Sequence, residues 1–228
     1  MKQRARGFTL IEVAIGLLIL TLVLGAALVP LQARMEQRAY ALTDARLELA
    51  QEALIGFAAV SGRLPCPATA ANGPENCAVT RGFLPLELGI QTTDFWQAEM
   101  VYVVEPSYTT VVGFKAAWQL PLIQPPGPIV PLMPTLKLCN TAVGSTPTDC
   151  ADEPSTVGRA LAVVFSRGMN LSVAGASADE IENADLDPVF VQRTRGTAGS
   201  LGGEYDDAVV GLTPFRLFGT MIKAQQLP

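Results

Sequence analysis

From Val13 to Leu31 the chain runs for nineteen residues without a charge, and Thr21 is the one polar side chain in that run. As a helix the segment measures about 28 Å, close to the roughly 30 Å hydrocarbon core of a bilayer. Lys2, Arg4 and Arg6 lie just ahead of it and no matching basic cluster lies just behind, so the positive-inside rule puts the N-terminus in the cytoplasm and exports the rest. Composition agrees with a chain that partly avoids water: 16% of residues are charged, against about 25% in ordinary soluble domains.

Glu12 stands at the mouth of the apolar run. A secretory signal peptide cut near Gly25, Ala26 and Ala27 would have an apolar core without such a carboxylate. A plain membrane anchor leaves it equally unexplained. A charge inside a bilayer costs about 2.5–3.5 kcal/mol on insertion scales and seeks a partner, so the acid needs an account of its own.

Gly7-Phe8-Thr9-Leu10-Ile11-Glu12 behind a short basic leader resembles the cleavage and methylation motif of type IV prepilins. The resemblance implies that a prepilin peptidase cuts after Gly7 and methylates the new terminus at Phe8. Residues 1–7 are then a leader, 8–60 a pilin helix that spans the membrane over about 8–31, and 61–228 a periplasmic or extracellular head. It further implies an inner-membrane protein with one pass, later part of a pilus or pseudopilus. The implied partners are the peptidase, membrane lipid, other pilin or pseudopilin subunits and an inner-membrane assembly platform. Glu12 becomes an assembly residue that neutralises the α-amino group of a neighbouring subunit.

Pro30 lacks a backbone donor and is expected to kink or loosen the helix. Gly16, Gly25, Ala26 and Ala27 are small enough for close helix approach. Beyond Pro30, Met35, Ala39, Leu42, Leu49, Ala53 and Phe57 recur at spacings of three, four or seven, predicting an amphipathic continuation to about Val60 that ends at Ser61-Gly62.

From Ser61 onward Pro, Gly and Thr punctuate short β-branched runs, which argues for a sheet-rich body with long loops; the resemblance implies an α+β, pilin-like fold, one long N-terminal helix packed on an antiparallel sheet. Expected strands are Glu99–Val104, Thr109–Phe114, Ala160–Ser166 and Val189–Val191, the first two as a hairpin. Leu120–Pro134 holds six prolines and reads as a stiff connecting loop. Arg63-Leu64-Pro65-Cys66-Pro67, Leu84-Pro85-Leu86, Asp94-Phe95-Trp96, Ser166-Arg167-Gly168-Met169-Asn170 and Gly203-Glu204-Tyr205-Asp206-Asp207 resemble, in that order, segments of minor pilins and pilin-like proteins. Gln97 departs from a glycine often found after the Asp-x-Trp pattern. The resemblance favours a minor subunit over a major one, with a type II secretion pseudopilin or a membrane-anchored binding module as alternatives.

The four cysteines form two matched intervals, Cys66 with Cys77 and Cys139 with Cys150, neither at metal-site spacing. Three pairings are possible; two local loops are the economical one, and disulfides imply an oxidising compartment.

The chain has no histidine, which removes Ser-His-Asp and Cys-His nucleophile activation and every His-ligated metal site. No phosphate-binding glycine loop occurs. Losing the leader's three cations leaves 13 basic against 21 acidic residues, a balance unsuited to nucleic acid. No enzyme and no obligatory cofactor are expected. Two acidic groups, Asp179, Glu180, Glu182, Asp185 and Asp187 in one and Glu204, Asp206 and Asp207 in the other, read as solvated surface. The second supplies candidate calcium ligands, since hard cations take clustered carboxylates.

Overall fold

The computed structural model describes residues 9–112, 134–151, 156–170, 176–197, 199 and 203–226, with backbone alone over 27–30. The chain forms two compact units, Met1–Ala41 and Leu42–Pro228. Helix α1, Leu10–Ser61, supplies residues to both.

In the first unit α1 is apolar on every side from Val13 to Leu24. Leu10, Ile11, Ile15, Leu18, Leu22 and Val23 are each more than half exposed, and the helix is long and apolar enough to cross a membrane. It continues through Pro30 as one element. An apolar surface on all faces is the signature of a segment whose solvent is hydrocarbon or other helices.

The second unit is built in three layers. Strands β1 (Arg81–Phe83), β2 (Val101–Val104), β5 (Ala162–Ser166) and β7 (Ala208–Leu212) form one sheet in that spatial order, antiparallel throughout. Strands β4 (Thr156–Ala160), β3 (Leu136–Cys139) and β6 (Val189–Val191) form the second. Within it β3 pairs antiparallel with β4 and parallel with β6, among the described residues the one departure from an antiparallel head. Two further helices of this unit lie wholly within the described residues, α2 (Ala178–Ala184) and α3 (Pro214–Lys223).

Strand alternation divides the core in two. Tyr102, Val104, Ala162 and Val164 point to the layer made by Leu47, Ala50, Leu54 and Ala58 of α1 with Leu217 and Met221 of α3. Val101, Val103, Val163 and Phe165 point the other way, onto Leu136, Leu138 and Phe190 of the second sheet. Both faces of the central strands are covered, which is why they read as nearly unbroken apolar runs rather than as alternating ones.

Several expectations are corrected. The buried stripe of α1 in this unit is Leu47, Ala50, Leu54, Ile55 and Ala58, whereas Leu42 and Leu49 are each 48% exposed. In the first unit Met35 also faces outward, 60% exposed. Apolar residues fill two stripes of this helix, and only tertiary contact selects between them. The expected Thr109–Phe114 strand does not form over its described part. Pro106 opens a 3-10 turn to Tyr108, the chain turns helical at Val111 and Val112, and β2 finds its partners in β1 and β5 instead. Proline at the first position of the turn presets a helical φ, and Tyr108, 2% exposed, anchors it in the core. The predicted Ala160–Ser166 strand is two strands in different sheets, broken at Leu161, whose N–H donates to Leu212 O and whose carbonyl accepts from Glu105 N. Phe114 and the proline-rich segment up to Met133 lie outside the described residues.

Candidate functional site

Thr9 caps α1. The Glu12 N–H donates to Thr9 Oγ1 at 3.3 Å and to Thr9 O at 3.1 Å, while the Thr9 N–H and hydroxyl donate to Glu12 Oε2, both at 3.4 Å. This is a capping box, with an anion placed where the helix dipole favours it. The bonds to the carboxylate are long, the side chain is exposed, and among the described residues the hydrogen bonds to that carboxylate all come from Thr9. The acid is therefore held at the helix start with its acceptor capacity largely unspent. Gly7 and Phe8 lie outside the described residues.

In the head, three of the short segments singled out by sequence converge on one hydrogen-bonded network. Asp94, fully buried, accepts at Oδ1 from Ala98 N at 2.9 Å and at Oδ2 from Ser166 Oγ at 2.7 Å. Ser166 Oγ accepts in turn from Gly168 N at 3.1 Å. Gly168 has φ of +66°, and a β-carbon there would stand 2.4 Å from Asp206 Cγ, so this turn needs glycine. It presents Met169 N and Asn170 N to Asp206 Oδ2 at 2.7 and 3.0 Å. From α1, Arg46 reaches the same region and donates to Thr93 O at 3.0 Å.

Helix α2 closes the network. Ser177 and Glu180 form its capping box, and Glu180 Oε1 also accepts from Asp206 N at 3.0 Å. Asn183 donates to Asp207 Oδ2 at 2.8 Å and accepts from Val191 N at 2.7 Å. Arg193 Nε pairs with Asp179 at 2.6 Å. The expectation that these acids are solvated surface is overturned: Asp179, Glu180, Asp206 and Asp207 are all at most 5% exposed. Sequence reading placed them in separate acidic runs. The signal that could have joined them was the Ser177-x-x-Glu180 capping pattern, which predicts a helix and hence an inward face.

Of the calcium candidates, Asp206 and Asp207 come together with Glu180, their ligand oxygens all within 4.8 Å of one another, while Glu204 points to solvent. Burial pushes the Asp207 carboxyl up to about 7, opposed by its hydrogen bond from Asn183 and reinforced by Glu180 and Asp206. A second group, Glu182, Asp185 and Asp187, is half-buried and spends its oxygens locally on Ser145 Oγ, Asp187 N and Val189 N. Cys66 and Cys77 are joined in a disulfide, as are Cys139 and Cys150, so the nearby Glu75 has no thiolate partners for a metal.

No curated protein and no solved structure matches the chain. Residues 2–28 match the family of the prokaryotic N-terminal methylation motif. The basic leader residues, Gly7, Phe8 and Glu12 all fall inside that match, so the chain carries the type IV prepilin-like signal at the start of its long apolar helix.

Proposed function

We propose that this chain is a minor type IV pilin-like structural subunit. Prepilin peptidase removes residues 1–7, Phe8 becomes the N-methylated terminus, and the subunit enters a pilus-like filament with its head exported. Its role is assembly rather than catalysis. The observation that carries this reading is α1 itself: an apolar rod exposed on all faces between Leu10 and Leu24, with one carboxylate at its entrance. In the bilayer lipid covers the rod; in a filament the rods of other subunits do. Small residues at Gly16 and Gly25, where an added β-carbon would meet nothing within 4 Å, leave room for close helix approach.

Glu12 gives the packing its register. Cleavage frees a cationic α-amino group on Phe8, and in a low-dielectric bundle that ammonium and the Glu12 carboxylate of an adjacent subunit neutralise each other. Among the described residues the Glu12 carboxylate otherwise meets only the N–H and the hydroxyl of Thr9. Mass analysis of the mature N-terminus tests the reading: a methyl-phenylalanine at position 8 supports it, and cleavage near Ala27 or an intact Met1 refutes it. Filament incorporation of Glu12→Leu tests the pairing, with loss expected.

A further inference from the structure

We propose that a second copy of this chain docks in parallel on the outer face of α1, displaced by fourteen residues, so that its Arg34 and Arg38 pair with Glu48 and Glu52 of the first. The inference rests on the filament role proposed for the chain and specifies one of its contacts. Arg34 precedes Glu48 by the same fourteen residues that separate Arg38 from Glu52, so a single displacement of about 21 Å along the helix satisfies both pairs.

Within one chain these four charges are a cost. Arg34 and Arg38 stand one helical turn apart, as do Glu48 and Glu52, and like charges at that spacing repel. Glu36 lies two residues from each arginine and so off their face. All four side chains are exposed, and among the described residues none of them makes a hydrogen bond or an ion pair. Neighbouring charges are already engaged: Asp44 pairs with Arg195, and Arg46 donates to Thr93 O. Beside the two acids runs an outward strip that the head leaves uncovered. Leu42 and Leu49 on it are each 48% exposed, and a β-carbon added at Gly56 would meet nothing within 4 Å. Apolar and small side chains there let a second helix approach closely, and arginine is long enough to lie along them while its guanidinium reaches the carboxylates.

An antiparallel copy would match the same charges, but every copy enters the bilayer by the same end, which leaves the parallel arrangement. The displacement also differs from the one that serves Glu12. Four residues bring Phe8 of one copy level with Glu12 of another, whereas fourteen bring the arginines to Glu48 and Glu52, so the two contacts belong to two different neighbours. A parallel, displaced contact joins unlike surfaces and never closes on itself, which is the geometry of an open helical fibre.

Two differently tagged full-length chains, one Arg38→Cys and the other Glu52→Cys, are co-expressed in the native host and treated with a short bismaleimide. A mixed dimer is expected in higher yield than the like-with-like dimer of either chain. Arg34→Glu together with Arg38→Glu is expected to lower filament content by on the order of tenfold, and adding Glu48→Arg and Glu52→Arg to that same chain to restore it, which a loss of folding would not allow. Three outcomes overturn the proposal: a dominant 38-to-38 dimer, which marks an undisplaced contact; preferred joining of Arg34→Cys to Glu52→Cys, which marks an antiparallel one; and capture of a different pilin-like protein in place of the second copy. The N-terminal mass of the same material tells this failure from that of the filament role. A mature terminus at Phe8 without the mixed dimer sinks the displacement alone, and a chain that still begins at Met1 and gives no mixed dimer sinks both.

Discussion

Ser166 donates its hydroxyl hydrogen to Asp94 across 2.7 Å, joining positions 72 residues apart inside a fully buried environment. The Asp94 carboxylate also accepts from Ala98 N, so one acid fixes both the end of β5 and the turn that leads into β2. Ser166→Ala removes a donor from a buried carboxylate, and a buried group left unsatisfied costs about 1–3 kcal/mol. Asp94→Ala strips partners from Ser166 and Ala98 together and is expected to cost more, about 2–4 kcal/mol. Urea unfolding of the detergent-solubilised chain measures both. Equal midpoints for Asp94→Ala and wild type would remove the bond from any account of head stability.

Gly168 and Gly89 separate two costs of a left-handed backbone. Both have positive φ, +66° and +64°, and a non-glycine residue there costs about 1–2 kcal/mol. At Gly89 an added β-carbon meets nothing within 4 Å, but at Gly168 it comes 2.4 Å from Asp206 Cγ. Gly89→Ala is therefore expected to destabilise by about 1 kcal/mol, and Gly168→Ala by roughly 3 kcal/mol or more, because the Asp206 loop must also shift. Comparable unfolding midpoints for the two variants would show that the loop yields at no cost.

What sequence makes legible here is what lies along the chain. The apolar run, its basic flank and Glu12 are contiguous, so the motif at residues 2–28 could be read without a fold. Val189–Val191 likewise reads as a strand because three β-branched or aromatic residues stand together between Pro188 and Gln192. The buried stripe of α1 was not legible, since Leu49 and Leu54 are equally apolar and only the sheet decides which one turns inward. Nor was the break at Leu161: Ala160 to Ser166 is one apolar run, and its division depends on Leu161 bonding to Leu212 and Glu105. The acidic network was hidden for the same reason. Glu180 reaches the Asp206 backbone across 26 positions, and the Ser177-x-x-Glu180 capping pattern predicts the helix and its inward face but not which residue that face meets.

The two disulfides differ in exposure rather than in loop length, each joining residues 11 positions apart. Equal loops give equal chain-entropy terms, about 2.5–3 kcal/mol each. Cys77 is exposed, whereas Cys139 and Cys150 are both buried, at 0% and 7%. Thiol–disulfide exchange needs access to a sulfur, so dithiothreitol under native conditions is expected to open Cys66–Cys77 first. Timed alkylation and peptide mass mapping follow this directly, and labelling of Cys139 ahead of Cys77 would reverse the assignment.

Arg63 and Glu75 make the Cys66–Cys77 loop acid-sensitive. Arg63 donates to both oxygens of Glu75, and Cys66 N donates to Oε2 at 3.0 Å. The hydrogen bond from Arg63 is the largest cause of a Glu75 pKa below its ordinary value, burial opposes it, and Cys66 N adds to the lowering. A carboxyl depressed in the folded state binds fewer protons there than when unfolded. Its stabilisation is therefore complete above the unfolded pKa, near 4.3, and disappears as pH falls through the lower folded value. Both side chains are partly exposed, at 23% and 22%, so solvent and salt reduce the effect. Glu75→Gln keeps the shape but cannot ionise, and its Tm is expected to fall less steeply than that of wild type between about pH 5 and pH 2. Arg63→Met should flatten the same interval by returning the Glu75 pKa toward its unfolded value. Parallel Tm curves for all three proteins across that range would mean that the pair contributes nothing that acid can remove.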